Sequence, residues 1–194
     1  MSFEFDPKKA ALLVMDYQTA ILANFPNGSD ATIKNVSKAL EASRAAGMRI
    51  IYVVVGFRAG YPEVSPNNKS FRALHESGRF SAGSAGTEIH PSLAPQASDL
   101  VVIKHRVSAF SGSDLEMLLR AGGIETMVLA GISSSGVVLS TIRQAADLDF
   151  RLLVLKDACL DGDAEVHSCL MEKIFPRQAE VQEVAKFIAD LGGK

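Results

Sequence analysis

Five short apolar runs constrain this chain more than anything else in it. Residues 10–15, 50–55, 100–103, 127–130 and 152–155 are rich in Val, Ile and Leu and show no polar–apolar alternation. Runs of that length without alternation suit strands buried on both faces, as in a parallel sheet held between two layers of helix. The intervals carry helical patterns over 33–46, 137–147, 164–174 and 181–191, the first stopping at Gly47 as a C-cap. Ser113 and Glu116 make a capping-box pair that opens a further helix ending near Gly122 and Gly123. Strand and helix in alternation predict right-handed crossovers and an α/β fold. The expected form is a three-layer αβα sandwich on a mostly parallel, Rossmann-like sheet of about six strands.

One stretch breaks the rhythm. Residues 56–98 have no clean period and hold Pro62, Pro66, Pro91 and Pro95 with Gly60, Gly78, Gly83 and Gly86. So long a segment inside a compact domain is expected to be a lid or an arm reaching a neighbouring subunit, with a short helix near 71–77. The 194 residues are read as one domain, 1–194, which buries a core without disulfide or metal staples. Lys and Arg total 20 against 22 Asp and Glu, a formal net charge of −2. That balance argues against a generic grip on nucleic acid or anionic lipid. No apolar run approaches the ~20 residues that span a bilayer. Glu4 and Asp6 stand where a signal peptide carries Lys or Arg, so no export is expected. Cys159 and Cys169 make neither a metal-ligand pattern nor a disulfide framework, and a cytoplasmic location follows as the expectation.

In open α/β sheets, ligands bind outside the carboxyl ends of the strands. Asp16 directly follows the first run and Lys104 the third. A buried acid there can act as general acid or base, and a lysine beside it can neutralise developing charge. On local sequence alone a cap or turn explains Asp16 equally well, and a surface position explains Lys104 better. The fourth run leads into Gly131-Ile132-Ser133-Ser134-Ser135-Gly136. This segment lacks the spacing of a P-loop, a dinucleotide fingerprint or a nucleophile elbow. It offers free backbone N–H groups at a helix start, though small residues also simply permit a tight turn. His75, His90, His105 and His167 show no metal-site spacing, and neither cysteine has an adjacent His. Surface or capping histidines and buried structural cysteines are expected.

Together these segments resemble the isochorismatase-like hydrolase superfamily, which includes nicotinamidases and N-carbamoylsarcosine amidase. The resemblance runs from about residue 10 to residue 181. Four segments carry it in order: 12–18, an apolar strand ending in Asp-x-Gln; Ile103-Lys104-His105-Arg106 with 109–115; 131–141; and Asp157-Ala158-Cys159. It implies an Asp–Lys–Cys site in which Asp16 and Lys104 supply the first two members. The nucleophile's place, six residues after Gly131, holds Val137, and Cys159 falls on a non-catalytic position. The resemblance further implies a cis peptide bond at Ile132–Ser133, an oxyanion site from the backbone of Ile132, Ser133 and Val137, and substrate contacts from Gln18 and Ser134. Residues 55–62 lack the His and Asp that hold a divalent ion in nicotinamidases, so no metal and no cofactor is expected. Relatives are often dimers or tetramers, which makes a homo-oligomer the expectation here.

Amide hydrolysis through a thioester requires a nucleophile. Protonating the enol-ether carbon of a vinyl ether such as isochorismate does not. The expected activity is therefore hydrolysis of a small carboxylated molecule, with Asp16 as general acid or base, Lys104 assisting and Arg58 gripping the substrate carboxylate. A lysine contact lowers an acid's pKa while burial raises it, so burial must win. Two other readings stand beside this one. One is an amidase whose nucleophile is Ser134 or Ser135. The other is a non-catalytic binding or assembly protein on the same scaffold, against which two charges grouped in a cleft speak.

Overall fold

The computed structural model describes residues 3–25 and 29–192. The apolar runs become β1 (Ala10–Met15), β2 (Arg49–Val55), β3 (Leu100–Lys104), β4 (Thr126–Ile132) and β5 (Arg151–Leu160), joined by a short β6 (Glu180–Gln182). All pairs are parallel, and the order across the sheet is β3-β2-β1-β4-β5-β6. Helices α1 (Thr19–Leu22), α2 (Ser29–Ala45), α3 (Lys69–Glu76), α4 (Leu115–Ala121), α5 (Leu139–Asp147), α6 (Ala164–Cys169) and α7 (Val184–Gly192) connect and cover the strands.

The absence of alternation in the runs of β1, β2, β4 and β5 has a direct cause, since both faces of those strands are covered, whereas β3 at the sheet edge leaves Val101 and Ile103 half exposed. Leu13, Val53, Val102 and Leu129 pack on one side with Leu119 of α4 and Ile142 of α5. Leu12, Ile50, Val128 and Leu153 pack on the other with Val36 and Leu40 of α2 and Phe187 of α7. This is the three-layer αβα sandwich. Among the described residues no helix is long and apolar enough to cross a membrane.

Three local expectations are corrected. The pattern over 181–191 is not one helix: Val181 pairs with Val154 in β6, and α7 begins after Asp157 accepts the Val184 N–H at 2.8 Å. Strand pairing and that cap together split the segment. Ser113 and Glu116 do not form a capping box either. Asp114 is the N-cap of α4, while Ser113 donates to the Ala109 carbonyl at 2.6 Å and accepts from Leu115 N at 3.3 Å. The stretch read as a helix from 137 opens instead as a π-type turn over Ser134–Val138 before α5. Such turns recur at functional sites.

Residues 56–98 fold back over their own strand ends. They carry α3, capped by Asn68, and build a small apolar cluster from Phe57, Tyr61, Phe71 and Phe80 against Val55. Backbone bonds from Thr19 to Glu88 and from Ala20 to Gly86, each 3.0 Å, tie the segment down beside the end of β1.

Candidate active site

The strand order reverses between β1 and β4, so the chain leaves their carboxyl ends in opposite directions and opens a crevice there. Asp16 is the first residue past β1. Its φ of +63° lies in the left-handed region, which Asp tolerates better than most residues, and its N–H donates to the Val53 carbonyl at 2.8 Å. Lys104 ends β3, and its Nζ lies 3.0 Å from Asp16 Oδ2 and 3.1 Å from the Arg106 carbonyl it also donates to. Both side chains are buried, Asp16 at 5% and Lys104 at 3% exposure. Asp16 Oδ1 has no hydrogen-bond partner among the described residues. Burial raises the Asp16 pKa, and the Lys104 ammonium offsets only part of that rise.

The pair borders a cavity of about 310 Å³, at the small end of ligand-binding volumes. Ile21, Phe25, Val55, Phe71, Phe80, Val107, Ile132 and Val137 give it apolar walls. Its polar lining is Asp16, Lys104, Asn24, Arg79 and Ser133. Arg79 donates to the Ala20 carbonyl and lies 5.2 Å from the centre of the Phe80 ring. No carboxylate among the described residues pairs with it. It therefore brings a net positive charge to a wall opposite in chemistry to the apolar ones.

Several expected contacts lie elsewhere. Arg58 does not border this cavity: its Nη1 pairs with Glu63 Oε1 at 2.5 Å, and its side chain is 73% exposed. Gln18 is fully buried, and its amide is spent on backbone, accepting from Val55 N at 2.8 Å and donating to the carbonyls of Val55 and Thr87 at 3.0 and 2.8 Å. It ties β1, β2 and the 56–98 segment together. The Ser134 hydroxyl points behind the turn, 2.8 Å from His167 Nδ1 and 3.4 Å from the Leu160 carbonyl. Ser135 is exposed, and its N–H donates to Asp161 Oδ2 at 2.7 Å. Those contacts anchor the turn from outside and leave Ser133, next to the cis Ile132–Ser133 bond, as the hydroxyl at the cavity wall.

Neither cysteine reaches the cavity. Cys159 is buried, its thiol pushed up to about 12 by burial, and Cys169 is exposed on α6. Among the described residues no three His, Cys, Asp or Glu side chains group closely enough to hold a metal ion. Arg79, Asn24 and Phe80 join the cavity without a signal in the sequence. Arg79 and Phe80 belong to the segment without a period, and Asn24 lies just past a four-residue helix, so no pattern marked them.

Residues 10–186 match the model of the isochorismatase domain. The uncharacterized isochorismatase family protein YecD of Escherichia coli O157:H7 is 36% identical over 95% of this chain and 97% of its own length. The ureidoacrylate amidohydrolase RutB of Variovorax paradoxus is 36% identical over 77% of this chain and 68% of its own. Among solved structures, a cysteine hydrolase from Pseudomonas syringae pv. phaseolicola shares the fold with a TM-score of 0.90 at 22% identity, covering 99% of this chain and 96% of that one.

Proposed function

The chain belongs to the isochorismatase family, and on that premise we propose that it hydrolyses a small carboxylated molecule without a cysteine nucleophile. One observation carries this reading: a buried Asp16–Lys104 pair leaves one carboxylate oxygen unpartnered beside a cavity whose walls include no cysteine. In this reading Val137 stands at the place of the family nucleophile and serves as an apolar wall. Burial favours the protonated form of Asp16, which is the form a general acid needs.

The chemistry is that of a vinyl ether. Asp16 gives its proton to the enol-ether carbon, and Lys104 stabilises the carboxylate left behind. Water adds to the resulting oxocarbenium carbon and returns a proton to Asp16. The adduct then expels an alcohol and leaves a carbonyl product. Arg79 takes the role expected of Arg58 and holds the substrate carboxylate, which a guanidinium engages bidentately. Ser133 replaces Ser134 as the hydroxyl beside the substrate, with the backbone of Ile132, Ser133 and Val137 forming the oxyanion side. The relative named for ureidoacrylate acts on a small carboxylate, which supports this substrate class.

A serine amidase has less support, because Ser134 is bonded behind the turn and Ser135 lies outside the cavity. A purely structural protein gives no reason to keep an acid and a lysine buried, at a cost of several kcal/mol per ion before pairing. The reading includes a homo-oligomer, small-molecule rather than nucleic-acid or membrane partners, and no cofactor.

The test is a panel of carboxylated vinyl ethers, ureas and amides offered to the wild-type chain, to Asp16→Asn and to Arg79→Gln. The wild type turns over a member of the panel, Asp16→Asn loses about 10²–10⁴ in kcat, and Arg79→Gln acts chiefly through KM. Full turnover by Asp16→Asn contradicts the proposal.

A further inference from the structure

Phe80 stands at a backbone position that its side chain makes costly. Its φ is +63°, in the left-handed region where bulky residues are rare and glycine is at ease. Residues so strained persist only where the surrounding structure holds them, and they cluster at ligand sites. Two backbone bonds of 2.8 Å do the holding here. The Phe57 N–H donates to the Phe80 carbonyl, and the Ala82 N–H donates to the Phe57 carbonyl. The Phe80 side chain is buried in the cluster that also contains Val55, Phe57, Tyr61 and Phe71.

Besides the Asp16 cavity, Phe80 borders a second cavity of about 430 Å³ beside the carboxyl end of β2. Phe80 and Val55 are the two residues that line both, and Val55 is fixed in the sheet by pairing with Lys104. Phe80, carried on the 56–98 segment, is therefore the part of the shared wall that the sheet does not dictate. Val54, Phe57, Ala82 and Ile103 give the second cavity apolar walls. The polar side chains of Gln18, Arg58 and Thr87 also border it, but they are engaged with Val55, Glu63 and Ser84. His105 is engaged as well, its Nδ1 lying 2.6 Å from the Gly56 carbonyl. A space lined in this way suits an apolar group better than a charged one.

Arg79 precedes Phe80, and its guanidinium lies 5.2 Å from the centre of that ring. A carboxylate held by Arg79 thus has the ring beside it. We infer that Phe80 is a specificity-determining residue, its ring closing the Asp16 cavity from the second one and restricting the site to short carboxylates. With the ring removed, the apolar tail of a longer monocarboxylate extends into the second cavity. The inference rests on the carboxylate site proposed above and adds a length limit to it.

Protein-observed NMR titration of the full chain with straight-chain saturated carboxylates, from acetate to octanoate, tests this without turnover. In the wild type the dissociation constant falls from acetate to butanoate and then stops falling. In Phe80→Gly, which suits the left-handed backbone, it goes on falling toward octanoate, by about fourfold for each methylene buried. Phe80→Leu keeps part of the apolar packing should the glycine variant not fold, and it moves the limit in the same direction by less. An equal length limit in the wild type and the folded variants overturns the inference, and overturns it alone if Arg79→Gln still weakens every member of the series. Acids that bind no chain, or that bind Arg79→Gln as tightly as the wild type, overturn the carboxylate site and this inference with it.

Discussion

At Asp16, burial and a neighbouring ammonium act on one proton in opposite senses, and burial is the stronger. The folded chain therefore binds that proton more tightly than an unfolded one. The group contributes stability that is full below the ordinary carboxylate pKa and lost as pH rises through the raised value. Catalysis by the acid follows the same sign: kcat/KM falls as pH rises, with its falling limb above the ordinary carboxylate range. A rising limb there would make Asp16 a base. Lys104→Met removes the one influence that lowers this pKa, so the limb moves to higher pH, as a pH–rate profile reads directly. Asp16 and Lys104 were legible because each stands immediately after an apolar run, and a parallel sheet gathers run ends at one edge. Arg79 was not. Arg58, the first arginine after the end of β2, is the anion partner that sequence position favours, but Glu63 neutralises it outside the cavity. The tie that Gln18 makes is not legible for a related reason, because its partners lie 37 and 69 residues away, beyond any local pattern.

The 56–98 segment supplies Arg79, Phe71 and Phe80 to the cavity, so its attachment beside α1 controls the site. Gly86 sits at φ +84°, and a Cβ there would stand 2.6 Å from the Ala20 Cβ. Both facts demand glycine. Gly86→Ala is expected to cost about 1–3 kcal/mol and, by displacing Arg79, to raise KM. Thermal unfolding and steady-state kinetics check the two effects separately. Gln18→Leu removes the side-chain partner of the buried Val55 backbone N–H and carbonyl and of the half-buried Thr87 carbonyl, at about 1–3 kcal/mol for each buried group left unsatisfied. It is expected to lower Tm more than Gly86→Ala does. Among the strands, β1 to β5 announce themselves by the unbroken apolar run that each contains. β6 does not, since Val181 stands alone between Glu180 and Gln182 and becomes a strand only by pairing with β5.

Across the whole molecule, the site follows from topology before it follows from chemistry. A parallel sheet whose order reverses between β1 and β4 leaves an opening beside Asp16. β2 separates β1 from β3 by one strand, which lets a side chain as long as Lys104 reach across. The 56–98 segment then roofs the opening. Nothing in that construction requires a thiol, and both cysteines lie away from the cavity. The most direct measurement is kcat/KM for a chain carrying Cys159→Ala and Cys169→Ser, set beside Asp16→Asn on the same carboxylated substrate. The cysteine-free chain is expected to stay within about threefold of wild type while Asp16→Asn falls by about 10² or more. A comparable collapse in the cysteine-free chain, with Asp16→Asn still active, would contradict a mechanism without a cysteine nucleophile.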